Sequence, residues 1–224
     1  MTDLSQSIQT VAVYAIPVLF AISLHEAAHG YVARYFGDPT AYQQGRLSMN
    51  PTKHIDPFGT IVLPLVLYLA IQMPFGYAKP VPVDYGRLRN PKKQMGFVAA
   101  AGPLANLAMG IGWMVALVLM ASMNVSEPFL LKMAEAGVKV NAVMCVFNLL
   151  PVPPLDGGRI VTSLLPMSLA RGYARIERHT TWIFLGLIVL MYTGLLSPIL
   201  GRLVGGFLAL VNLLVLPLAA LLLN

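Results

Sequence analysis

This 224-residue chain holds only nine carboxylates, four histidines and one cysteine. Seven of the acids (Asp3, Asp38, Asp56, Asp84, Glu127, Glu135 and Glu177) fall in polar loops or at the ends of apolar stretches. Two do not. Glu26 lies within His25-Glu26-Ala27-Ala28-His29, at the end of an apolar run. Asp156 closes the run Asn148-Leu149-Leu150-Pro151-Val152-Pro153-Pro154-Leu155, just before Gly157-Gly158. A charge within a membrane costs about 2.5–3.5 kcal/mol on insertion scales and marks a functional group by default.

His-Glu-x-x-His has a specific geometry on a helix. Positions i and i+4 stand about 400° apart, so His25 and His29 share one face and can bind one Zn2+. Glu26 is one residue on, beside the metal, where it can take a proton from metal-bound water and pass it to a leaving amine. A catalytic zinc site keeps three protein ligands and one open position. No third histidine lies in an apolar span, so Asp156 is the economical third ligand. The alternatives are a chance pentapeptide on an interfacial helix, and for Asp156 a turn residue or a helix cap. The lone Cys145 excludes an intramolecular disulfide and a cysteine-rich zinc site.

The elements that must position these residues are apolar. Hydrophobic residues make up 57% of the chain and charged residues 11%, against about 25% charged in a soluble domain. Mean hydropathy is +0.72. This excludes an ordinary soluble globule and a disordered chain, and predicts an all-α polytopic membrane protein. Stretches free of charged residues cover 4–25, 57–78, 94–126, 140–155, 179–201 and 203–224. They predict five or six transmembrane helices in one membrane domain, residues 1–224. The catalytic core covers about 8–165 and a helical hairpin 180–224. The stretch 57–74 is crowded by Pro57, Gly59, Pro64 and Pro74, and basic residues flank it on both sides. It predicts a re-entrant or β-like element after the first helix, shielded by protein, in preference to the alternative of a full crossing.

The net charge of +6 reads as topology, not nucleic-acid binding, because polar residues are too few for a basic groove. With a re-entrant 57–74, every basic residue but Lys132, Lys139 and Arg202 faces one side, which is the cytoplasm. From Ile8, His25 lies roughly 25–30 Å along its helix, near that boundary. Arg171, Arg175 and Arg178 suit anionic lipid headgroups.

Three motifs in order resemble the site-2 protease family of intramembrane zinc metalloproteases. They are His25-Glu26-x-x-His29 with Gly30, Gly102-Pro103-Leu104-Ala105-Asn106, and Asn148-x-x-Pro-x-Pro-x-Leu-Asp156-Gly-Gly. The segments Gly45–Pro51, His54–Pro57 and Lys79–Val83 resemble a compact bacterial and archaeal branch without PDZ or CBS domains. The resemblance implies one Zn2+ per chain on His25, His29 and Asp156, with Glu26 as general base. It implies cleavage of single-span membrane proteins in or near the bilayer of a multi-pass cell-membrane enzyme. Asn148 would hold an unwound substrate strand, assisted by Asn106. For Asn106 the alternative is an interhelical hydrogen bond, with Gly102 allowing close approach. The loops at 42–50 and 77–84 would offer an extended edge for strand addition. His54, in a polar loop, reads as structural. The competing functional classes are a silent client-binding protein of the same fold, which the intact Glu26 opposes, and a transporter, which would show paired half-repeats.

Overall fold

The computed structural model describes residues 4–62, Val66 and 79–223. Seven longer helices occur among them: α1 (Leu4–Tyr35), α2 (Pro91–Ser122), α3 (Pro128–Asn148), α4 (Asp156–Leu164), α5 (Met167–Ala174), α6 (Thr180–Tyr192) and α7 (Ser197–Leu223). The described residues contain no strand. The predicted re-entrant element is described only at its start, where Pro57–Val62 forms a short π-helical run. The rest of 57–74, apart from Val66, lies outside the described residues.

The helix boundaries follow local chemistry. Pro91 and Pro128 stand in the first turns of α2 and α3, where the missing N–H is no loss and φ is already helical. Gln94 Oε1 accepts the Asn90 N–H and Glu127 accepts that of Phe129. Asn124 takes a φ of 54° in the turn between α2 and α3, a conformation Asn tolerates better than most residues. The short turn makes α2 and α3 adjacent.

Among the described residues, three helices are long and apolar enough to cross a membrane: Gln9–Tyr35 of α1, α2 and α7. The 21-residue α3 has the length but carries Lys132, Glu135 and Lys139. The apolar stretch 179–201 does not form one long helix. It breaks after Tyr192, where Gly194 adopts a φ of 76°. The 13-residue α6 is about 20 Å long, short of the roughly 30 Å hydrocarbon core. Its apolar run therefore splits at Gly194, ahead of the boundary at Arg202 that separates the stretches 179–201 and 203–224.

Helix α2 sits at the centre and contacts α1, α3, α4 and α7. Ala101, Gly102, Asn106 and Gly110 are buried along it. Small residues let helix backbones approach where lipid removes the hydrophobic drive between helices. Behind it α3 and α7 share a core of Ala142, Cys145, Val146, Phe207 and Val211. This central helix, walled by α1 and α3, carries the back of the site.

Candidate metal centre

Helix α1 does not end at the His-Glu-x-x-His motif but continues to Tyr35, so both histidines sit inside it with full helical geometry. Both residues are buried, at 5% and 9% exposure. His25 Nε2 and His29 Nε2 are 3.1 Å apart. Asp156 Oδ2 lies 3.2 Å from the first and 3.4 Å from the second. The three atoms thus form a nearly regular triangle.

The hydrogens of both rings are set from behind. His29 Nδ1 lies 2.7 Å from the Val98 carbonyl, which can only accept, so Nδ1 donates. His25 Nδ1 lies 2.6 Å from Asn106 Oδ1 and donates likewise. Each neutral ring then turns a bare Nε2 lone pair toward Asp156. Asp156 Oδ2 is itself buried and accepts no hydrogen bond among the described residues. Three acceptor atoms face one another at contact distance, which is repulsive without a cation between them. Protonating both rings would set two N–H groups head-on at 3.1 Å. A single metal ion resolves the conflict. Four ligands at 2.0–2.1 Å in a tetrahedron are spaced about 3.3 Å apart, close to the three distances found. The group His25, His29 and Asp156 therefore fits a tetrahedral metal with one position open.

Backbone shape makes this triangle possible. A Cβ on Gly102 would lie 2.5 Å from His25 Cε1 and 2.5 Å from His29 Nε2, so only glycine lets α2 pass behind the rings. The next residue, Pro103, lacks the N–H that would bond Ala99 and loosens this turn of α2. The adjacent Val98 carbonyl receives His29. On the other side, a Cβ on Gly157 would fall 2.2 Å from the Leu149 carbonyl oxygen. The Asp-Gly-Gly sequence thus lets α4 start tightly against the end of α3, aiming Asp156 at α1.

Glu26 is held by a different element. Its Oε2 accepts the Val81 N–H at 2.7 Å. Pro80 and Pro82 have no N–H, so Val81 supplies the single donor of Pro80-Val81-Pro82. This narrows the expected docking edge, of which residues 77–78 lie outside the described residues. Lys79 N–H bonds the His54 carbonyl, and Arg46 approaches the carbonyls of Lys79 and Pro80 at 3.1 and 3.4 Å. Residues 43–46 bond back into their own turn. Among the described residues, the N–H groups of 43–46, Lys79, Val81 and Asp84 are thus committed within the protein. His54 is buried and donates to the Ser48 carbonyl at 2.7 Å, the structural role its loop suggested.

The two asparagines part ways. Asn106 is wholly buried. Its oxygen is on His25 and its nitrogen 2.9 Å from Asn141 Oδ1 and 3.3 Å from the Ala21 carbonyl. Both of its polar atoms are committed inside the protein, behind the site instead of on a substrate. Asn148 donates to the Met144 carbonyl of its own helix at 3.0 Å and does not join the cluster. Asn141 is also fully buried and was missed. It is a polar residue in the apolar stretch 140–155, a weaker signal than the charge that singled out Glu26 and Asp156.

Arg159, three residues after Asp156, braces the site's rim. It donates to the Tyr85 hydroxyl and, at 3.0 Å, to Glu177. Burial pushes the Tyr85 hydroxyl above its ordinary pKa, against the opposing pull of Arg159. The brace ties α4 to the loop before α2 and to the basic turn Arg175–His179.

Comparison with known proteins agrees with the residues. Peptidase family M50 matches at residues 127–193, which include α3, Asp156 and α6. The chain is 38% identical over 179 residues to "Putative zinc metalloprotease YwhC" of Bacillus subtilis, covering 78% of each chain. It is 31% identical over 185 residues to "Putative zinc metalloprotease Rip2" of Mycolicibacterium smegmatis, covering 80% of this chain and 66% of the relative. No solved structure gives a significant match. Such identity, sustained over most of both chains, shows that this chain belongs to peptidase family M50, the site-2 proteases.

Proposed function

We propose that the chain is a zinc-dependent intramembrane endopeptidase that cuts single-span membrane proteins in or near the bilayer. The observation that carries this is the triangle of three acceptor atoms with both imidazole tautomers set by acceptors behind them. His25 and His29, through Nε2, and Asp156, through Oδ2, hold the metal. Zinc bound there supplies Lewis acidity, acidifying water and polarising a peptide carbonyl. Glu26, adjacent on α1, takes one proton from the attacking water and delivers it to the departing amine nitrogen. The C–O bond forms, the C–N bond breaks, and Glu26 ends as it began.

Several features support the membrane setting. The motif lies within a helix long and apolar enough to span. The basic residues, all but Lys132, Lys139 and Arg202, assign to one side with 57–74 re-entrant. That favours a site near the cytoplasmic face, with α3 as a fourth membrane segment and the 13-residue α6 entering the bilayer only in part. A helical substrate must unwind there before its carbonyls are exposed. Arg171, Arg175 and Arg178 then meet anionic headgroups.

One experiment tests metal and sidedness together. The full chain is co-reconstituted with a single-span substrate in sealed vesicles, and a membrane-impermeant zinc chelator is added. Cleavage is expected to stop when the cytoplasmic face is outward and to continue when it is inward. Cleavage that survives the chelator in both orientations sinks the zinc reading; loss in the opposite orientation overturns the sidedness.

The Val81 contact yields a backbone prediction. Val81→Ala keeps the N–H on Glu26, whereas Val81→Pro deletes it. A hydrogen bond to a charged group is worth about 1.5–3 kcal/mol, so Val81→Pro is expected to lower kcat by about 10–100-fold. Zinc content should be unchanged in both variants. Equal kcat for the two would show that the contact does not orient Glu26.

A further inference from the structure

Behind His25 runs a chain of buried amides that crosses three helices. Asn141, on α3, has its Nδ2 2.8 Å from the Gly137 carbonyl. A carbonyl only accepts, so the Asn141 NH2 must face Gly137 and its oxygen must face outward. That oxygen receives the Asn106 NH2 at 2.9 Å. The same NH2 is 3.3 Å from the Ala21 carbonyl on α1, a second acceptor. Asn106 is thereby left with only its oxygen for His25, at 2.6 Å. Asn106 and Asn141 are both 0% exposed, so no water is at hand to rescue a reversed amide.

We propose that Asn141 is a positioning residue for metal binding: through Asn106 it sets which nitrogen of His25 carries the proton. The proposal rests on the zinc reading given above. The direction of every bond follows from backbone carbonyls at two anchor points. With Asn141 oriented by its own helix, Asn106 cannot turn its NH2 to His25 without placing its oxygen against Asn141 Oδ1 and the Ala21 carbonyl. His25 therefore donates from Nδ1 and keeps Nε2 bare. If Asn141 loses its acceptor, the Asn106 amide is freer to reverse. His25 would then accept at Nδ1 and carry its proton on Nε2, the form that cannot ligate a metal. Partners that orient metal-ligating histidines are typically worth 10–100-fold in affinity.

The test uses rescue, since a mere packing defect at 141 would not be repaired from position 106. Asn141→Leu removes the acceptor at similar size. Asn106→Asp offers His25 only acceptor oxygens, so reversal has no consequence there. Zinc affinity of the full chain in detergent is read by chelator competition. Cobalt substitution adds the visible spectrum of a tetrahedral site. Asn141→Leu is expected to bind zinc 10–100-fold more weakly and to lose cobalt band intensity. Asn106→Asp sets an oxygen against Asn141 Oδ1, a clash that Asn141→Leu relieves, so the double variant is expected to bind zinc at least as tightly as Asn106→Asp alone. Should Asn141→Leu not fold, Asn141→Ala runs the same cycle. Wild-type affinity in the single variant at 141, or a double variant that binds zinc more weakly than Asn106→Asp by the factor seen for Asn141→Leu, overturns the proposal while the zinc reading stands. A wild-type chain that holds no zinc overturns both.

Discussion

Glu26→Gln is expected to abolish cleavage while the protein keeps its zinc. Glutamine has nearly the shape of glutamate, and its side-chain oxygen can still accept the Val81 N–H that Glu26 Oε2 accepts at 2.7 Å. The packing of α1 against the Pro80-Val81-Pro82 segment is therefore retained. What changes is proton affinity: an amide cannot take a proton from water at neutral pH or return it to an amine. General acid–base groups contribute about 10²–10⁴-fold, and a loss of that size is expected in kcat. KM should move little, because Glu26 is not asked to bind the substrate chain. The variant should hold uncut single-span proteins long enough for them to co-purify. Metal analysis and turnover, measured on one preparation, decide the matter. Turnover near the wild-type rate would remove Glu26 from the reaction, and loss of zinc would make it a ligand instead of a base.

Gly102→Ala should be as damaging, through the metal and not through the base. The added Cβ would lie 2.5 Å from His29 Nε2 and 2.6 Å from His25 Nε2, where unbonded atoms settle at about 3.5–4.0 Å. Either the rings or α2 must move by about 1 Å, whereas metal–ligand distances hold within about 0.2 Å. Helix α2 has little freedom to retreat, being enclosed by α1, α3, α4 and α7. Overpacking also costs about 1–3 kcal/mol of stability. The expected result is a chain that inserts and folds less stably, with zinc affinity reduced by 100-fold or more and no cleavage; chelator competition and thermal unfolding measure the two effects. A Gly102→Ala chain that binds zinc like wild type would mean that the rings stand farther from α2 than the geometry here has them. The contrast with Glu26→Gln is informative: one variant is loaded and inert, the other is unloaded.

Scarcity made part of this site legible in the sequence. With 11% charged residues, Glu26 and Asp156 stood out because apolar surroundings penalise a charge that has no task. The period of the helix put His25 and His29 on one face without any knowledge of the fold. Zinc chemistry, the membrane-helical class and the family resemblance all came from these residues and their spacing.

The rest depended on contacts between residues far apart in the chain. Asn106 read as a substrate contact or as interhelical glue. Only the approach of α2 to α1 shows its oxygen behind His25. Asn141 lay within an apolar run but was uncharged, and it gains a role only when Asn106 is beside it. The 77–84 loop read as an open edge; Glu26, 55 residues away from Val81, takes its donor. The stretch 179–201 had the composition of a span, yet the turn at Gly194 leaves α6 at 13 residues.

The sequence by itself determined which residues are the candidates for the chemistry, because residue type and helical period are local properties. The tertiary structure decided which hydrogens those atoms carry and how close they stand. A tautomer, a carboxylate's orientation and a 3.1 Å gap between two rings are set by partners on other helices, and hydrogen-bond direction is a property of the pair.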